Sequence, residues 1–178
     1  MPLLTALAVS IGVLGGVATY LFLGPLGGMG LQIWAAFIAW ACFYHNGGKE
    51  GGLMTTIVCN IFGVVVAWAA FILFNAIAGG LGAPLAGGIA VAIAAAVMCL
   101  AANIPSLSSI PSSVYGFAAT AAFTLLAGGG KLGNLMEGSV NNNPLLNIIV
   151  SMVIGAVFAY ASEKVAGMLV GDSAAAKA

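Results

Sequence analysis

Arginine is absent from this 178-residue chain, and lysine occurs four times against four acidic residues. A formal net charge of zero with no clustered cations excludes a nucleic-acid partner, because phosphate binding is built on lysine and arginine. Charged residues make up 4 % of the chain, whereas a soluble domain carries about 25 %. So little charge cannot keep a folded surface dispersed in water. Histidine occurs once, at His45, and no Ser/His/Asp set accompanies it. Cys42, Cys59 and Cys99 lie singly in apolar segments, which excludes a disulfide framework and a zinc site. They read as small apolar packing residues. Gly47-Gly48-Lys49 lacks the spacing of a phosphate-binding loop. No enzyme, metal or cofactor is expected.

What the chain has in abundance is apolar sequence, 62 % of its residues. Crossing about 30 Å of hydrocarbon takes about 20 apolar residues in a helix. The first such segment is Leu3–Leu23, and no basic region precedes it, so it is expected to stay rather than be cleaved. Gly24–Gly30 breaks the chain. A short segment, Leu31–His45, follows and stops at Asn46-Gly47-Gly48. The third, Leu53–Ile77, is long and ends in Ala78–Ala83. Pro84 opens a fourth that reaches Asn103. After the serine- and proline-rich run Ile104–Ser113 comes a short fifth segment, Val114–Ala127. Pro144 opens the sixth, which runs to Ser162 or on to Val170.

The order long, short, long is thus written twice, and one motif marks the copies. Residues 47–54 and 129–136 share Gly-Gly-Lys-x-Gly-x-Leu-Met, each preceded by Phe-x-Ala-x-Ala-x-Phe, at Phe37–Phe43 and Phe117–Phe123. Gly63-x-Val65-x-Ala67-Trp68 matches Gly155-x-Val157-x-Ala159-Tyr160. The offset is near 80 residues in the first segments and 92 in the last, as an insertion around Asn141–Asn143 would produce. The expectation is an all-α polytopic membrane protein of six transmembrane segments, arranged as two three-helix repeats. The first repeat is residues 1–83, the second 84–170, and 171–178 is a disordered tail. Three crossings per half make the repeats inverted, the plan of many transporters and channels. Segments 2 and 5 are short or partly re-entrant; loops 24–30 and 104–113 either dip into the membrane or are ordinary surface connections between tilted helices. Cytoplasmic termini put Lys49, Lys164 and Lys177 inside and Lys131 outside, in keeping with the positive-inside rule.

No segment carries a charge near its middle, which favours passive movement of a neutral solute over ion-coupled pumping. Candidate pore-lining residues are Gln32, Phe37, His45, Asn60, Ser109, Ser112, Phe117 and Thr120. For any one of the polar groups the ordinary role is an interhelical hydrogen bond, worth about 0.6 kcal/mol. His45 could gate by pH, though a lone histidine at a helix end is ordinarily an interfacial residue. Gly12, Gly15, Gly16, Gly63 and Gly155 are the expected close-packing glycines, and the wealth of glycine suggests a homo-oligomer. Lys49 and Lys131 are expected to anchor paired turns among lipid headgroups.

Ile33-Trp34-Ala35-Ala36-Phe37-Ile38-Ala39-Trp40-Ala41, Gly47-Gly48 and Ser113-Val114-Tyr115-Gly116-Phe117-Ala118 resemble the YcdZ-like family of bacterial inner-membrane proteins, over roughly residues 5–165. That family is of unknown function. The resemblance implies a bacterial inner membrane and supplies no site residues. The architecture is also similar to aquaporins and formate/nitrite channels, but Asn143-Pro144 is followed by Leu145, so no Asn-Pro-Ala motif is present. The expected function is a channel or facilitator for a small neutral solute, such as urea, an amide, an alcohol or a dissolved gas. The expected partners are the lipid bilayer, that solute and further copies of the chain. The alternative is a non-transporting scaffold or accessory subunit.

Overall fold

The computed structural model describes residues 1–127 and 130–170, and these form six α-helices and no strand. They are α1 (Leu3–Leu23), α2 (Ile33–His45), α3 (Lys49–Leu81), α4 (Ala83–Ala101), α5 (Ile110–Leu126) and α6 (Pro144–Val170). α1, α3, α4 and α6 are each long and apolar enough to cross a membrane. α2 and α5 are shorter, at 13 and 17 residues. The segment expected as a tail, 171–178, lies outside the described residues, as do Gly128 and Gly129 of the second lysine motif.

Several boundaries differ from the sequence reading, each for a local reason. α3 starts at Lys49, four residues before the expected Leu53. Gly47, Gly48 and Lys49 all have positive φ, at 83°, 68° and 57°, so the chain turns within three residues and enters the helix at once. At Gly48 the space a Cβ would fill is taken by the Glu163 carboxylate, which accepts the Lys49 backbone N–H at 2.8 Å. α5 starts at Ile110, with Pro111 in its first turn. Ser112 and Ser113, expected in a loop, are therefore helical. α6 starts at Pro144, where the Asn143 Oδ1 accepts the N–H groups of Leu145 (2.8 Å) and Leu146 (3.3 Å), a side-chain N-cap.

The two lysine motifs consequently do different things. The first turns α2 directly into α3, whereas the second passes into a one-turn 3₁₀ helix, Leu132–Asn134, ten residues short of α6. Lys131 is half-buried, and its Nζ donates to Asn142 Oδ1 at 2.8 Å. The expected headgroup anchor is instead a brace within the loop.

Contacts fix the direction of each helix. Gln32, just before α2, and Ala36 and Tyr44 within it meet Ser151, Gly155 and Ser162 of α6 in that order, so the two run parallel. Cys59 and Gly63 of α3 meet Ser106 and Ser113 beside α5 in the same way. α1 runs against α6, with the Met1 amine 3.1 Å from the Leu169 carbonyl oxygen. The start of α1 and the end of α6 thus share one face of the bundle with the α2–α3 turn and the start of α5. The opposite face carries residues 24–32, the Gly82 turn and the loop before α6.

α2, α3, α5 and α6 form the centre, with α1 packed on the outside of α6 and α4 on the outside of α3. Between the central helices lie Ala35, Ala39, Val64, Ala119, Phe123, Ile148, Met152 and Ala156, all buried. Three glycines permit the closest crossings. A Cβ on Gly63 would collide with the Ser113 carbonyl, one on Gly116 with the Asn60 carbonyl, and one on Gly155 with Ala36. Gly12 and Gly16, expected to pack, instead face open space, and Gly15 has only the Phe37 ring at 3.9 Å.

Candidate functional site

The antiparallel helices α2 and α5 meet along a seam; its first end is polar, and its second carries Gln32 and Trp34 among apolar residues. At the first end the last turn of α2 faces the first turn of α5 and the second and third turns of α3. Asn46, which follows α2, is the hub. Its Nδ2 donates to Thr56 Oγ1 and to Ser112 Oγ, both at 2.9 Å. Its Oδ1 accepts from Ser109 Oγ at 3.1 Å and Ser112 Oγ at 3.2 Å, and the two serine hydroxyls are 2.7 Å apart. Ser109 caps no backbone N–H of α5, because its hydroxyl is spent on this network.

Deeper in, the Cys42 thiol lies 3.2 Å from Ser112 Oγ and 3.4 Å from Asn60 Oδ1. Cys42, Thr56 and Ser112 are fully buried, and Asn60 is 2 % exposed. One atom of the cluster is left over: Asn60 Nδ2 has no hydrogen-bond partner. Toward the surface the groups become more accessible. Asn46 and Ser109 are half-buried, while His45 is exposed with its Nδ1 3.0 Å from the Tyr115 hydroxyl. Polar groups therefore run from the rim to Asn60.

The second end is built by Gln32 and Trp34 at the start of α2. The Gln32 backbone N–H donates to Ser151 Oγ at 2.9 Å, and its side chain accepts from Trp34 Nε1 at 2.9 Å and donates to the Gly30 carbonyl. Gln32, Trp34, Ala122, Leu126 and Ala127 line a cavity of about 330 Å³. Behind it Asn147 spans the Gly30 and Val140 carbonyls at 3.0 Å each. Between the two ends the seam is filled by apolar side chains, chiefly Phe123, Ile148 and Met152.

The eight residues expected to line a path are thus distributed unevenly. Asn60, Ser109 and Ser112 come together at the first end with His45 on its rim, and Gln32 stands at the second. Thr120 is buried and donates to the Gly116 carbonyl of its own helix at 2.9 Å. Phe37 is 43 % exposed on the outer surface, its ring 6.1 Å from that of Trp40. Phe117 packs on Val66, Ala94 and Met98 and borders a groove between α3 and α4 with Phe71 and Phe74. Neither phenylalanine ring lies among the polar groups at the ends of the seam. Sequence reasoning missed Cys42, Asn46 and Thr56. The available signal was an asparagine directly after a short apolar helix whose last turn carries a thiol.

No curated protein and no solved structure matches this chain. A family described as "Protein of unknown function (DUF1097)" matches residues 8–167. The chain belongs to that family.

Proposed function

We propose that this protein is a six-span membrane facilitator for a small neutral solute, with the path along the α2–α5 seam. The observation that carries the proposal is the presence of polar groups at both ends of that seam, Asn46, Ser109, Ser112 and Asn60 at one, Gln32 and Trp34 at the other. Among the described residues, charged side chains stay at the bundle faces: Glu50 pairs with Lys164 at 3.7 Å on one, and Lys131 meets Asn142 on the other. An uncharged seam with a short apolar constriction suits neutral molecules and rejects hydrated ions.

An inverted repeat is supported by the way the helices pair. α3 lies along α5 as α6 lies along α2, and α4 lies on α3 as α1 lies on α6. The matched glycines Gly63 and Gly155 both stand at these crossings. Their partners, Ser113 and Ala36, are about 77 residues apart, close to the offset of the first segments. The shared face of Met1 and Leu169 is consistent with both termini in the cytoplasm. Resemblance to the YcdZ-like proteins favours a bacterial inner membrane.

Reconstitution tests the proposal. Vesicles carrying the protein are expected to pass at least one of urea, acetamide or glycerol faster than empty vesicles in a light-scattering shrinkage assay. Equal rates across the whole panel would leave the rival reading, a scaffold or accessory subunit. That reading draws on the close packing of Phe123, Ile148 and Met152 in mid-seam, each at most 2 % exposed.

A further inference from the structure

Asn60 is an unfinished group in an otherwise complete network. Buried side-chain amides are hydrogen-bonded in nearly all folded proteins, and an orphan in a low-dielectric interior is costly. Every other polar atom named around it has a partner: Asn46 uses both ends of its amide, Ser112 joins Asn46 and Ser109, and Cys42 reaches Ser112 and Asn60. Asn60 Oδ1 faces the Cys42 thiol, so its Nδ2 belongs to the same deep end of the cluster. Exchanging the amide atoms does not complete the network. Nδ2 would then meet the weak sulfur acceptor, and Oδ1 would lack its donor.

We infer that Asn60, with Cys42 and Ser112 beside it, is a binding site for a small neutral molecule carrying a carbonyl or hydroxyl oxygen. Such an oxygen accepts from Asn60 Nδ2, and an amide or urea N–H serves the alternative orientation equally. An apolar gas offers neither. The inference rests on the seam proposed above and narrows its solute class to hydrogen-bonding molecules of the amide, urea and alcohol kind. Exposure rises outward from Asn60 through Asn46 and Ser109 to His45 on the first face.

Protection of the Cys42 thiol reads occupancy directly. Cys59→Ala and Cys99→Ala leave Cys42 as the single thiol. Its labelling by a small methanethiosulfonate is followed by mass spectrometry in detergent, with sub-denaturing acetamide or urea as the probe. Labelling is expected to slow saturably, by about tenfold at ten times the half-protecting concentration. Sucrose at equal osmolality is expected to leave the rate unchanged. Asn60→Leu is expected to retain labelling and lose protection; should that variant not fold, the protection curve of the unchanged amide still decides. Labelling indifferent to both probes would assign Asn60 Nδ2 to a fixed structural water and overturn the site. Complete resistance to labelling would overturn it as well, because a sealed cluster exchanges nothing. Protection without flux removes the transport reading and keeps the site; flux without protection does the reverse.

Discussion

Gly116 and Asn60 lie backbone to backbone where α5 crosses α3, and a Cβ on Gly116 would occupy the position of the Asn60 carbonyl oxygen. This crossing sets the depth at which the Asn60 amide enters the seam. Gly116→Ala, Gly63→Ala and Gly155→Ala must each push two helix backbones apart, and overpacking of this kind costs about 1–3 kcal/mol. Gly79→Ala, in open space on the same helix as Gly63, is expected to be neutral or to stabilise by up to about 1 kcal/mol. Thermal unfolding in detergent distinguishes them, and equal midpoints for Gly79→Ala and Gly116→Ala would contradict the packing.

The Glu163 carboxylate holds the entry to α3 through the Lys49 N–H, an anion placed at a helix N-terminus. Glu163→Ala is expected to cost about 1 kcal/mol, in the range of a lost N-terminal cap. Hydrogen exchange of residues 47–52 is expected to rise with little change in α5. Uniform exchange across the bundle would instead mean that the carboxylate holds no local structure.

Asn143 caps α6 and also reaches the Leu135 and Glu137 carbonyls with its Nδ2. Asn143→Ala therefore removes the cap and loosens the loop, and a cap alone is worth about 1 kcal/mol. Asn143→Asp keeps the accepting oxygen and is expected to recover the helix-capping part of the loss. Comparing the two variants by thermal unfolding separates the two roles.

Glu137 in the same loop accepts from the Ser139 hydroxyl at 2.7 Å and the Asn142 amide at 2.8 Å, which hold its carboxyl below the ordinary range, with Lys131 adding to the effect. An ordinary glutamate titrates near about 4.3. With the folded value depressed, the contribution is present above that pH and is lost as pH falls through the lower folded value. Exchange of residues 131–143, corrected for its intrinsic rate, is expected to rise on acidification through that window. Glu137→Gln flattens the response; an unchanged response in this variant would place the acid sensitivity elsewhere.

The helices were legible because apolar length and glycine-proline breaks are local signals. Leu3–Leu23 and the start at Pro144 coincide with the observed helix. The start of α3 was not legible, since it depends on three positive-φ residues held by Glu163, 114 residues away from Lys49. The candidate site divides along the same line. Asn60, Ser109 and Ser112 stand out as polar residues in or beside apolar helices. Cys42 reads as a packing residue and Asn46 as a helix stop until α5 folds across them, at separations of 63 to 70 residues. Phe37 and Phe117 hold matching places in the Phe-x-Ala-x-Ala-x-Phe pattern, but a sequence match does not specify which way a ring faces.

The most direct measurement of the seam is solute permeability before and after the thiol block. Vesicles containing the Cys59→Ala/Cys99→Ala protein are assayed with urea or acetamide, then treated with methanethiosulfonate at Cys42 and assayed again. A solute path along α2 and α5 predicts permeability above protein-free vesicles that falls back to their level after the block, while Cys42→Ala is unaffected by the reagent. Permeability that persists after stoichiometric modification of Cys42, or that never exceeds the protein-free level, would contradict it.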